Sequence, residues 1–160
     1  MIISDGYTCK GFSLCFGKMD AGDSFVHPNA NTAGVNQAVY LYSGNISAVS
    51  NGQTIELLAD QFVDTSGFAN NAITYTAGEN GAKWLAINPF PETKKYSISL
   101  VTTGTSDIVG SDKETAIICI RGNITCNAAN LTPLQYTRVL NNKTITLTVP
   151  EGSVAAVITA

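Results

Sequence analysis

The sequence predicts an all-β protein built as two small β-sandwich or barrel lobes in tandem. Three observations carry this. Residues 37–58 alternate short apolar runs with tight-turn pairs, Gly44-Asn45 and Asn51-Gly52. Such pairs tolerate positive φ and mark hairpins, and strands this short bury one face only against a second sheet. No stretch longer than a turn carries a helical period. A motif then recurs: AVYLYSGNIS around Gly44 and AIICIRGNIT around Gly122 share an apolar strand, Gly-Asn-Ile and a hydroxyl residue, 78 positions apart.

Taken in order, residues 6–16 read as the first long strand, with Phe12, Leu14 and Phe16 on one face and Gly11, Ser13 and Cys15 on the other. Residues 17–22 read as a turn. Residues 24–27 form a short strand closed by Pro28, and 28–36 an Asn-rich loop. The three strands of residues 37–58 follow, then strands at 60–64 and 73–76 around a loop at 65–71. Glu79-Asn80-Gly81 turns the chain into a strand at 83–87. Pro89 and Pro91 lack the N–H that a ladder needs, so the boundary is placed there, giving lobes 1–91 and 92–160.

The second lobe reads as a strand at 96–102, a Gly/Ser/Asp loop to Lys113, a strand at 116–120 and a turn at Gly122-Asn123. Strands at 124–127, 134–139, 143–149 and 153–159 complete it. The alternative is a single large sandwich.

A chain of 160 residues is long enough to fold around its own core without a metal or disulfide. Charged residues make up 13%, the net charge is −3, and the basic residues are scattered, so there is no footprint for nucleic acid. The start, MIISDGYTCK, has neither the basic end nor the apolar core of a secretion signal. No apolar run approaches the roughly 18 residues of a membrane span. The expectation is a soluble protein made in a cytosol, with a surface of Asn, Thr, Ser and Gly suited to touching other surfaces.

Reduced thiols are expected there. Cys9 and Cys15, if in one extended run, stand about 20 Å apart and do not bond. If Gly122-Asn123 is a hairpin loop, Cys119 falls opposite Cys126. A disulfide there is one option, and two thiols packed as small apolar residues the other.

The paired short strands, together with Gly22, His27-Pro28-Asn29 and the six residues between Gln37 and Gly44, resemble the cupin superfamily of small jelly-roll barrels. That resemblance implies a transition metal held by three imidazoles and a carboxylate. Here His27 is the only histidine, Asn29 stands at the second ligand position and Gln37 at the carboxylate position, and the spacings are off pattern. Neutral amides bind such metals weakly. The resemblance therefore implies a barrel with a degenerate site and no cofactor. The second copy of the motif, preceded by Lys113, Glu114 and Thr115, holds no histidine.

Nucleophilic catalysis with a histidine base would have to use His27, and neither a nucleophile elbow nor a phosphate loop is present. Asp60, Asp64 and Glu79 could serve a glycosidase, but read more simply as solvated acids. Tyr40, Tyr42, Tyr75 and Trp84 could line a sugar groove or pack between strands. The sequons at Asn45, Asn123, Asn130 and Asn142 read as coincidence in an Asn-rich chain. The expectation is a non-enzymatic interaction module with no catalytic, cofactor or metal residues. By analogy of fold and composition it resembles virion accessory proteins such as capsid decoration, cement or tail attachment proteins. Its partners would be protein surfaces, through self-association as a homo-oligomer or on a capsid or tail. The alternative is a cupin-type metal-dependent enzyme or sugar-binding cupin with a substituted site around His27.

Overall fold

The computed structural model describes residues 1–3, 7–27, 31–32, 35–36, 38–64, 72–90 and 96–160. All regular elements among them are strands. The chain divides into two compact units, the first Met1–Thr8 with Ser13–Lys94, the second Cys9–Phe12 with Lys95–Ala160.

The first unit carries β1 (Ile2–Ile3), β2 (Tyr7–Thr8), most of β3 (Phe12–Met19), β4 (Ser24–His27), β5 (Asn31–Thr32), β6 (Val35–Asn36), β7 (Ala38–Ser50), β8 (Gln53–Leu58), β9 (Gln61–Asp64) and β10 (Ile73–Pro89). Its main sheet runs β1-β3-β10-β7-β8, with β2 on β3, β4 on β10 and β9 on β7; β5 and β6 pair separately. The second unit carries β11 (Ser97–Val101), β12 (Gly104–Val109), β13 (Thr115–Arg121), β14 (Ile124–Cys126), β15 (Ala129–Leu131), β16 (Tyr136–Val139), β17 (Thr144–Val149) and β18 (Val154–Thr159). They form two four-stranded sheets, β11-β18-β13-β16 and β12-β17-β14-β15.

Of the expected hairpins, Asn51-Gly52 is one. Ser50 pairs with Gln53, and both turn residues have positive φ, 47° and 78°, as a primed turn requires. Gly44-Asn45 is not. Strand β7 runs straight through it, with Ser43 opposite Lys83 and Ile46 opposite Ala77 on β10. The ladder skips between Ala77 and Ala82, so Glu79-Asn80-Gly81 is an irregularity inside β10 rather than a turn between strands. Gly44 takes φ 81°, and any side chain there would collide with the Gly81 carbonyl. The pair bends the strand instead of reversing it, as a bulge does.

Gly122-Asn123 is likewise a bend. It carries the chain from β13 in one sheet to β14 in the other, and the Asn123 N–H donates to Ser153 Oγ at 3.2 Å. Cys119 therefore sits opposite Ala155, and Cys126 opposite Leu147 and Ala129, rather than opposite each other. All four cysteines are free thiols. The first run is also corrected. It folds back at residues 9–11, pairing Tyr7 with Leu14, so Cys9 and Cys15 do not lie on one extended strand. Its turn at 17–22 starts later, because β3 continues to Met19. The apolar alternation of Phe12, Leu14 and Phe16 holds, all three being buried. Strand β12 lies where a loop was expected and β15 in a stretch given no element, and the residues of both are almost all exposed. Strand β10 extends through Asn88 and Pro89. The 65–71 loop lies outside the described residues.

The repeat reaches beyond its motif. Ala38 pairs with Ile87 and Asp64, as Ala116 pairs with Ile158 and Arg138; Ser47 pairs with Thr76 as Thr125 pairs with Thr148; Thr76 pairs with Ser24 as Thr148 pairs with Thr105. The first and second halves of β7 thus correspond to β13 and β14, β4 to β12, and the two halves of β10 to β17 and β18. Gly44 and Gly81 have counterparts in Gly122 and Gly152, all at positive φ.

Candidate functional site

The site lies inside the first unit. Alternation on β4 puts Phe25 and His27 on one face, and their register opposite Tyr75 and Ile73 of β10 gathers aromatic rings on one wall. Phe25 stacks on Tyr75 with centroids 6.4 Å apart and planes at 14°, and meets the His27 imidazole edge-on at 6.1 Å and 89°. Opposite Leu41 on β7, Trp84 brings its indole over Gly17 of β3, where a methyl group would overlap the ring. Glycine at 17 is what lets the indole lie there.

Phe25, His27, Tyr75 and Trp84, with Cys15, Met19, Val39, Ile46, Ala86 and Asn88, line a cavity of about 270 Å³. Among these described lining residues there is no carboxylate, ammonium or guanidinium. Two of the lining side chains hold a buried polar atom with no hydrogen-bond partner among the described residues, His27 Nδ1 and Tyr75 Oη. Tyr75 is only 4% exposed, and burial pushes its phenol up to about 12, so it keeps its proton as a donor. On the same wall Asn88 Nδ2 donates to Cys15 Sγ at 3.8 Å. Burial raises the Cys15 thiol, against smaller lowering by Asn88 and a backbone bond from Ala86.

Cys15, His27 and Asn88 are the residue types of a thiol-imidazole-amide arrangement. Here the amide donates to the thiol, His27 Nδ1 has no partner among the described residues, and burial favours the protonated thiol, so the three are not linked as thiol, base and orienting amide. The cupin metal fares no better. Among the described residues no three His, Cys, Asp or Glu side chains gather. One imidazole and one protonated thiol are not the ligand set of a transition-metal centre, and no step is derived through a metal.

Asn29 and Gln37, the other two positions of the metal motif, lie outside the described residues. Tyr75 and Trp84 of the aromatic set line the cavity. Tyr40 does not, being buried and donating to Asp60 Oδ1 at 2.8 Å, and Tyr42 is half-buried elsewhere. The acids do not converge: Asp60 sits at the turn into β9, Glu79 is exposed at the β10 irregularity, and the side chain of Asp64 is not described. Phe25 and Met19 were not singled out in the sequence, and Cys15 was weighed there only for disulfide pairing. Alternation around His27 could have brought in Phe25, while Cys15 and Met19 needed the register of β3.

No family model and no curated protein sequence matches the chain. Solved structures do. AerE from Microcystis aeruginosa superposes with a TM-score of 0.68 at 10% identity, covering 96% of this chain and 88% of that one. HutD from Pseudomonas fluorescens SBW25 gives 0.66 at 15%, covering 93% and 79%. A cupin 2 conserved barrel domain protein from Leptotrichia buccalis gives 0.65 at 7%, covering 99% and 88%. At such identities the likeness is one of fold, and the fold is cupin-like, an all-β jelly roll.

Proposed function

We propose that the first unit is a metal-free binding barrel for a small organic molecule, and that the chain binds rather than catalyses. One observation carries the reading: two side chains that line one aromatic-walled cavity, His27 and Tyr75, each hold a buried polar atom, Nδ1 and Oη, with no partner among the described residues. Buried polar groups are nearly always satisfied, and an unsatisfied one costs about 1–3 kcal/mol, so a pair sharing a cavity suits a ligand that completes them. This keeps the substituted site around His27 while leaving out its metal. It is tested by extracting protein purified without tag or chelator and identifying small molecules by mass spectrometry, with metals measured on the same sample. An organic compound retained by the native chain and lost from Ala86→Phe, which fills the cavity, supports the reading. About one transition metal per chain sinks it.

A second reading, an interaction module of the virion accessory kind, is favoured by a different observation. Val109 and Leu140 are 60% and 48% exposed and flank the Gly110–Asn141 bridge of the second unit. Surface contact through them predicts a homo-oligomer in sedimentation that Val109→Lys dissociates. A monomer at all concentrations removes it.

A further inference from the structure

We infer that the ligand of the first barrel is a neutral, planar heterocycle or aromatic amide of one or two rings, taken up edge-first onto His27 and Tyr75. The inference rests on the small-molecule reading and narrows it to a chemical class.

Size comes from the cavity. A void of about 150 Å³ in a protein core takes benzene, so about 270 Å³ admits a substituted single ring or two fused rings. Shape comes from the walls. Phe25 and Tyr75 lie nearly parallel, the imidazole stands edge-on to Phe25, and the Trp84 indole lies among the other lining residues, so flat faces and ring edges are what the cavity offers. Charge follows from what is missing among the described lining residues. With no carboxylate, ammonium or guanidinium there, a carboxylate or ammonium on the ligand would lose its water with no full countercharge from those groups.

Polarity is set by the two unpartnered atoms. The phenol holds its proton and donates, which calls for a carbonyl or ring-nitrogen acceptor. Nδ1 accepts or donates according to tautomer, and so pairs with a ring N–H or with a second acceptor. A lactam or primary amide on an aromatic ring offers both kinds of group. A bare hydrocarbon would fill the volume but leave the pair unsatisfied.

The test uses the full chain, calorimetry and the indole N–H resonance of Trp84, the one tryptophan in the protein and a resident of the cavity. The probes are 2-quinolone, benzamide, 2-naphthoate, benzoate and naphthalene. The expected result is that 2-quinolone and benzamide bind and shift the indole resonance, while each carboxylate binds at least about ten-fold more weakly than the neutral probe of its size. Tyr75→Phe should weaken 2-quinolone roughly three- to ten-fold and leave naphthalene unchanged. Equal or tighter binding of 2-naphthoate, with the indole shift, overturns the neutral class and leaves the binding barrel standing. Tight quinolone binding that Tyr75→Phe does not touch overturns the edge-first mode alone. If no probe, naphthalene included, moves the indole resonance, the barrel reading and this inference fall together.

Discussion

The two units run the same ladder to different ends. Position by position, the residues that open the first barrel are exchanged in the second. Where the first has Phe25, His27, Tyr75 and Trp84, the matching registers of the second hold Ser106, Ile108, Leu147 and Ala155. Leu41 and Ala48 become Cys119 and Cys126. The second interior closes into a cluster of aliphatic side chains and thiols, including Ile117, Ile124, Leu147 and Val157. A jelly roll thus does not need a cavity to stand. The ring-lined void of the first unit is a departure from what the same strand scheme reaches with aliphatic residues, and its uncompensated polar atoms are what a selection for stability alone would remove.

The sharpest way to break the comparison is to delete the same side chain from both. Ile46 and Ile124 occupy matching positions, and both are buried. Ile124→Ala removes atoms from a packed core and should cost about 2–5 kcal/mol in urea unfolding. Ile46→Ala acts on a wall that already borders the void, loses fewer contacts, and should cost at least about 1 kcal/mol less. Equal losses would mean that the first barrel is packed as tightly as the second.

Next in size is Gly17→Ala. Its methyl group would enter the Trp84 indole, so the ring must shift, at a cost of about 1–3 kcal/mol and a change in tryptophan emission. Unchanged stability and spectrum would show that the indole has room to yield. Tyr75→Phe removes a hydroxyl with no partner. The ligand-free protein should be unchanged or more stable by up to about 1 kcal/mol, the reverse of the usual result for a core tyrosine. A loss above that would reveal a partner for the hydroxyl.

A separate effect is with pH. Burial, chiefly, pushes the Cys9 thiol up to about 11 and the Tyr75 phenol up to about 12, from ordinary values of 9.0 and 10.0. The unfolded chain gives up these protons before the folded one, so stability falls as pH rises from about 9 and the loss levels off above the folded values. Urea midpoints at pH 7.5 and 10.5 measure it. Tyr75→Phe should remove part of the first unit's share and Cys9→Ala part of the second's, with Cys15 and Tyr42 in the first and Cys119 and Cys126 in the second, all raised by burial, supplying the rest, and flat midpoints in the native chain would contradict both.

Much of the fold was legible. Apolar alternation found Phe12, Leu14 and Phe16, Asn51-Gly52 gave its hairpin, and the repeat marked two corresponding strands. Gly44-Asn45 and Gly122-Asn123 misled because a Gly-Asn pair at positive φ serves a bend as well as a reversal, and only the partner strands decide between them. Strands β12 and β15 each place only one half-buried apolar residue on the core, Ile108 and Leu131, too few for an alternating pattern to show in the sequence. At the site, His27, Tyr75 and Trp84 were visible as residue types. That they share a cavity depends on registers of β3, β4 and β10 that no local signal encodes.

Residues 9–12 bear on heredity as well as structure. They count with the second unit, where the Gly11 N–H donates to the Lys113 carbonyl at 3.2 Å and the Lys10 N–H to Glu114 Oε2 at 3.1 Å. A gene cut between the halves would yield a carboxyl-terminal product lacking four of its own residues, with Glu114 left only its 3.7 Å contact to Arg138 among these partners. Through four residues the two halves of the gene depend on each other as a single unit of inheritance.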